Sequence, residues 1–555
     1  MNVVIPRLAC AACGWTPGPP EVDPYPFRCP NAGTDDGDHV VGVVMGRDVG
    51  RDFSPAVGPA VARDVGRDFS PAVGRGFSPA DSPNPFIRYR TSLYSWHVAR
   101  SRGLSDTDYV SIVERVDAAV ARIAGCGFRI TPFCRADGLS ERLGFEAAGG
   151  VWVKDETGNV AGSHKARHLM GVALCLEVLR HLGIDSNAAR PLAVASCGNA
   201  ALAAAVVARA VDRTLLVFVP DHAPHGIVAQ LEQLGANVTR CARSATRDTG
   251  HTTPGAEPRT SDFGPRTPDS GHPRAAGDPS YLAFRRAVAG GALPFSCQGN
   301  ENGLVIEGAT TLGYEIVDQA AEARLEPCPA AAPHDTTSGP SVASVAQGFS
   351  LAALDRVFIQ VGGGALASAC VQAFSACVRA GRLDAMPRVH AVQTSGGYPL
   401  KRAYDRLVDH VFARLAASSP GIRRTFATND DRARYLLSTA SPALLDEAFA
   451  HARAHRSEFM WPWETEPRSV ATGILDDETY DWAVVVEGMV RSGGFPVVVD
   501  EATLEEANAL AREATGVNVD HTGSSGLAGL IQLSRSLERP RRTERIAVLF
   551  TGVRR

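Results

Sequence analysis

Three short apolar segments, PLAVAS (191–196), TLLVFVP (214–220) and NVTRCA (237–242), are separated by an Ala-rich helical stretch and by a second helical stretch over 224–234, a βαβαβ order that permits few folds. Strands that are apolar throughout need cover on both faces, and helices between successive parallel strands supply it. The alternation returns in RVFIQV (356–361), RVHAVQT (388–394), FPVVVD (495–500) and RIAVLFTG (545–552). A chain of 555 residues is too long for one simple core, so the reading is an α/β protein of two lobes built on parallel sheets. Ligands of such sheets gather at the carboxyl ends of the strands.

Three stretches interrupt this pattern. RDVGRDFSPAVG occurs at 47–58 and again at 63–74, with the fragment GFSPA at 76–80, and segments 243–279 and about 325–350 are equally poor in large apolar side chains. None can bury enough surface to offset the entropy of ordering, so all three are expected to be disordered insertions. A net charge of -4 with 21% charged residues makes nucleic acid an unfavoured partner. The start, MNVVIPRLACAACGW, lacks the basic and apolar regions of a secretory signal, and no apolar run reaches spanning length, so no membrane partner and a cytoplasmic location are expected. Cys126, Cys175, Cys370 and Cys377 lie singly in apolar or helical stretches, as reduced buried thiols do.

Four stretches can carry chemistry. In VWVKDETGNVAGSHKARHLMGVALCLEVL a strand and a glycine-containing turn present Lys165 as a long helix begins. The positive end of a helix dipole disfavours an ammonium, which suits an amine that must lose its proton to attack an aldehyde; the alternative is a solvated helix-start lysine. In AVASCGNAALAAAVVARA small residues let a planar ligand approach the backbone, and the Asn199 amide can donate to it, although Gly-Asn is also an ordinary turn and cap. RVFIQVGGGALASACVQAF sets Gly362, Gly363 and Gly364 between a strand and a helix, where successive N–H groups can nest a phosphate. The spacing matches neither G-x-G-x-x-G with a following acid nor a G-K-[ST] loop. Finally RIAVLFTGVRR ends a strand at Thr551, whose hydroxyl can meet a ring nitrogen without protonating it, or can simply be an edge-strand threonine.

In their order along the chain these stretches resemble the fold type II pyridoxal-phosphate enzymes, the tryptophan synthase beta superfamily, from about residue 83 to the end. GSHKAR resembles the family's G-S-F-K-x-R, which makes Lys165 the lysine that carries the cofactor as a Schiff base. SCGNA resembles its S-x-G-N loop, placing Asn199 at the cofactor's phenolic oxygen, and VGGGA its phosphate loop, Gly362 to Ala365. LFTG resembles the closing segment, with Thr551 at the pyridine nitrogen, and TPF (131–133) the family's T-P-L. Within the superfamily, IEGATTLGYEI (306–316) and VDHTGSSGLAGL (519–530) are similar to stretches of threonine synthase-like proteins, and Cys10, Cys13 and Cys29 resemble their zinc-ribbon-like start. There are departures: His164 stands where Phe is usual, the glycine loop is closer to that of serine and threonine dehydratases, and the fourth cysteine is absent. A structural zinc needs four ligands, and His39, Asp36 or Asp38 can complete the set.

The resemblance implies two lobes, 83–194 with 303–555 and 195–302 with its insertion 243–279, preceded by a ribbon-like segment 1–45 and the insertion 46–82. It also implies a homodimer. The expected activity is that of a pyridoxal-phosphate-dependent lyase on a small amino acid, threonine synthase-like. The alternatives are a serine or threonine dehydratase (ammonia-lyase), or a cofactor-binding protein without this catalysis. A threonine synthase-like substrate carries a second phosphate, for which Arg167, Lys154 and Lys401 are candidate cations. The stretch WPWETEP (461–467) either lines a substrate entrance or packs.

Overall fold

A computed structural model describes residues 7–44, 81–185, 189–242, 278–322, 354–418 and 425–555. Ten of the described strands form two sheets. β3 (Phe133–Arg135), β4 (Gly150–Asp155), β9 (Arg356–Gln360), β10 (Arg388–Thr394), β11 (Val497–Val499) and β12 (Arg545–Phe550) lie in the order β11-β10-β9-β12-β4-β3, parallel except for β3. β5 (Leu192–Ala195), β6 (Leu215–Pro220), β7 (Asn237–Cys241) and β8 (Leu293–Pro294) form a second parallel sheet in the order β7-β6-β5-β8. β1 (Arg7–Cys10) and β2 (Val41–Val44) pair antiparallel in the N-terminal segment. The expected two-lobe α/β class is the fold observed.

One boundary differs from the expectation. A division after residue 194 cuts β5, because Leu192 pairs with both Leu215 and Leu293 and so belongs to the four-stranded sheet. The strand begins where Pro191 ends the preceding loop, and ladder hydrogen bonds bind residues 192–195 as one unit. The three expected insertions lie outside the described residues except at their ends, where Asp278 caps the helix Pro279–Ala289 by accepting from Ser280 N–H.

Helix Lys165–His181 is buried from Ala166 to Leu179 and crosses helix Val305–Glu322 at very short range. A Cβ on Gly308 would stand 2.2 Å from the Arg167 carbonyl oxygen, and one on Gly171 2.7 Å from Gly308 Cα. Gly308 of IEGATT is therefore a packing glycine. The small residues of GSSGLAGL do the same for helix His521–Ser534, where a Cβ on Gly529 would meet Val392 at 2.4 Å and one on Gly526 would meet the Phe358 carbonyl at 2.8 Å. The latter contacts press helix His521–Ser534 onto β9 and β10.

Candidate active site

β4 runs through a turn at 156–163 into Lys165, the first residue of its helix. The sequence holds three lysines, Lys154, Lys165 and Lys401. Lys154 is fully buried and bonds Glu315 Oε2 at 2.6 Å, Thr131 O at 2.7 Å and Gln319 Oε1 at 2.8 Å. Lys401 pairs with Asp405 at 2.5 Å. Lys165 is half-buried, and among the described residues no hydrogen bond or ion pair ends on its amine; its backbone N–H donates to Ser163 Oγ at 3.4 Å and its carbonyl meets Cys297 Sγ at 3.9 Å. Its charge nevertheless reaches His164, Cys297, Asp476 and Asp481.

Thr551 follows β12, which lies between β9 and β4, so it is not on an edge strand. Its Oγ1 accepts from Gln360 Nε2, and Gln360 also donates to Gly523 O at 3.0 Å and Leu549 O at 3.2 Å. With the oxygen thus engaged, the hydroxyl proton is left to meet an acceptor in the site. His164 bonds Thr551 O through Nδ1 at 3.3 Å and leaves Nε2 unpartnered; burial and then the Lys165 charge hold its pKa well below the ordinary value, so the ring is neutral.

Gly362, Gly363 and Gly364 link β9 to helix Ala365–Arg379, whose start has no side-chain cap. Gly364 has φ +95°, a conformation that suits glycine. Close packing also demands the glycines: a Cβ on Gly362 would fall 2.3 Å from Asp476 Oδ2, one on Gly363 2.9 Å from the Tyr480 ring, and one on Gly364 2.9 Å from Thr479 Cγ2. Thr479 donates to Gly362 O at 2.9 Å and Asp481 N–H donates to Gly363 O at 3.0 Å, while the Asp476 carboxyl lies against Gly362 and Gly363. Sequence reasoning missed this segment, because LDDETYD has neither helical nor strand periodicity and looks like a solvated acidic loop. Burial pushes the Asp476 carboxyl up to about 6 and Asp481 up to about 7.

Asn199 begins helix Asn199–Ala210 at the carboxyl end of β5. The chain after β12 brings it to the lysine turn: Ser163 bridges to Gly552, and Gly552 faces the Asn199 amide. Lys165, Asn199, the glycine loop with Ala365, and Thr551 thus surround one region at the strand ends of both sheets.

The cations considered for a second phosphate are elsewhere engaged. Arg167 is fully buried, bonding Glu156 through Nε at 2.8 Å and Glu315 through Nη1 at 2.5 Å. Thr131 of the TPF stretch bonds both carboxylates. Of WPWETEP, Trp461 and Trp463 pack on Arg402, at 3.7 and 5.2 Å from guanidinium carbon to ring centre.

In the N-terminal segment the ligand atoms of Cys10, Cys13, Cys29 and His39 lie within 4.8 Å of one another. The alternatives to His39 are occupied, Asp36 by Ser457 and Asp38 by Arg456. His39 Nε2 meets Asp35 Oδ1 at 2.7 Å, which leaves Nδ1 facing the sulfurs.

A family model described as pyridoxal-phosphate dependent enzyme matches residues 127–552. The chain belongs to that family. Among solved structures, maize serine racemase aligns at 16% identity and TM-score 0.44, over 80% of this chain and 93% of that one. The processed form of a threonine deaminase from Solanum lycopersicum aligns at 14% and 0.47, over 82% and 92%, and the L-serine ammonia-lyase of the fungus Rhizomucor miehei at 15% and 0.45, over 76% and 93%. No curated protein matches the sequence. No helix among the described residues is long and apolar enough to cross a membrane.

The groups of this pyridoxal-phosphate enzyme fit the cofactor its family implies. They include an amine with no partner among the described residues, an amide, an uncapped helix start behind three glycines, and a hydroxyl whose oxygen is already bonded.

Proposed function

We propose that the protein is a pyridoxal-phosphate-dependent lyase that removes or replaces a side-chain group on a small amino acid, with Lys165 holding the cofactor and moving the α-proton. The observation that carries this reading is that Lys165, alone of three lysines, has no carboxylate on its amine among the described residues. Gly363, Gly364 and Ala365 N–H would hold the phosphate, Asn199 the phenolic oxygen, and Thr551 the pyridine nitrogen. When bound, the cofactor supplies an electron sink for negative charge developing at the substrate's α-carbon. A hydroxyl at position 551, unlike a carboxylate, leaves the ring nitrogen unprotonated, which moderates that sink and favours loss of a side-chain group over transamination.

Deamination of an unphosphorylated hydroxy amino acid, the dehydratase outcome, is favoured over a threonine synthase-like reaction. The latter needs a cation for a second phosphate, whereas Arg167 and Lys154 are saturated, Lys401 is paired, Arg555 is engaged by Asn199 and Ala161 O, and Asp476 and Asp481 lie at the glycine loop. The loaded protein is to be incubated with serine, threonine and phosphohomoserine while ammonia and inorganic phosphate are measured. Ammonia from an unphosphorylated substrate is expected; dominant phosphate release reverses the assignment.

The N-terminal cluster is read as a structural zinc site. Sulfur-to-ligand separations of 3.4, 3.5 and 3.6 Å are close to the edge of about 3.8 Å in a tetrahedron with Zn–S bonds of about 2.3 Å, and Asp35 behind His39 is the usual outer partner of a metal-bound imidazole. Metal analysis of the purified full chain should find about one zinc per chain. Metal-free protein with an unchanged melting temperature contradicts the site.

A further inference from the structure

We propose that Arg555 is the positioning residue for Asn199, fixing which side of that amide is turned toward the cofactor. The inference rests on the reading of Asn199 as the partner of the phenolic oxygen.

A side-chain amide is a two-fold rotor with an acceptor on one side and a donor on the other. Turned the wrong way, it would present oxygen to oxygen. Arg555 removes the choice, because a guanidinium carries donors only. Its Nη1 donates to Asn199 Oδ1, so Nδ2 must face the opposite side. There Gly552 leaves the space open: a Cβ at that position would stand 2.9 Å from Nδ2. Among the described residues no acceptor meets Nδ2, so its protons are left for a ligand.

The other arm of the fork makes the placement rigid. Arg555 Nη2 donates to Ala161 O at 2.6 Å, on the turn that leads into Lys165, where Ala161 has φ +55°. The chain is laid down for this by Asp520 N–H to Gly552 O, Val553 N–H to Gly162 O and Arg554 N–H to Asn518 O, each at 2.9 Å. Arg555 therefore ties the lysine turn beside the large sheet to the asparagine at the start of a small-lobe helix. Both acceptors need donors at a fixed spacing, which a planar fork provides and a single ammonium does not.

The test compares R555A, R555K, N199A and the double variant R555A/N199A in the full chain, reading the visible absorption of the bound cofactor and its dissociation constant. N199A and R555A should shift the absorption band in the same direction, and R555A should weaken cofactor retention about tenfold, the effect of losing one hydrogen bond to a charged group. In its absorption band the double variant should behave as N199A alone, since Arg555 acts on the band through Asn199. R555K should resemble R555A. A band unchanged in R555A while N199A shifts it overturns the role of Arg555 alone, as do additive band shifts in the double variant or a wild-type band in R555K. A band unchanged in N199A overturns the reading of Asn199 and the proposal with it.

Discussion

Lys165 and Arg167 lie two residues apart at the start of one helix, in opposite surroundings. Arg167 is fully buried, and with Glu156, Glu315, Lys154 and Thr131 it forms a network in which each charge meets an opposite one. Lys165 is half-buried, and no such group among the described residues meets its amine. A buried charge without compensation is costly, so the first cluster must be complete to be tolerated. A reactive amine must keep its lone pair and its freedom, so the second site must be left incomplete by the protein. Neighbouring cations thus divide into one that ties the helix to the sheet and one that the proposed chemistry would use.

Substitution at each site should separate these roles. Lys165→Ala should lower turnover by about 10³-fold or more while leaving the melting temperature of the cofactor-free protein unchanged, as thermal unfolding would show. Glu315→Ala should act in reverse, leaving Arg167 and Lys154 short of charge. A loss of stability of about 3–5 kcal/mol by denaturant titration is expected, and a near-neutral result would mean that the network is more hydrated than its burial indicates. The smallest effect concerns the acids on the glycine loop. Burial raises Asp476 to about 6 and Asp481 to about 7, from an ordinary 3.8, so the folded chain binds more protons than the unfolded one between roughly pH 4 and pH 7. Their contribution to stability falls as the pH rises through that window. The double variant D476N/D481N, free of cofactor, should show a flatter dependence of melting temperature on pH over the same range; an unaltered slope would place those carboxyls in water.

The fold, and the placing of the candidate site residues at strand ends, are legible in the sequence for local reasons. Parallel strands buried on both faces announce themselves as continuous apolar runs, and the residues at their carboxyl ends, Asn199, Gly362 to Gly364 and Thr551, come at fixed places after such runs. Other features depend on partners remote in the chain. Glu315 and Glu156 determine that Arg167 and Lys154 are structural, and neither spacing nor composition pairs them. Asp476 and Asp481 reach the glycine loop from more than a hundred residues away, in a loop without periodicity. His39, not Asp36 or Asp38, faces the three cysteines, and Arg456 and Ser457 take the two carboxylates. The pairing of β5 with β6 and β8 follows the βαβαβ order of 191–242 and sets the lobe to which β5 belongs, so a boundary drawn after residue 194 departs from that order.

The most direct test of the account is where the cofactor attaches. Borohydride reduction of the loaded protein, followed by peptide mass mapping, distinguishes all three lysines at once. The account requires the label on the peptide containing Lys165 and on no other. Label on Lys401 or Lys154, or a cofactor that reduction leaves unattached, contradicts it.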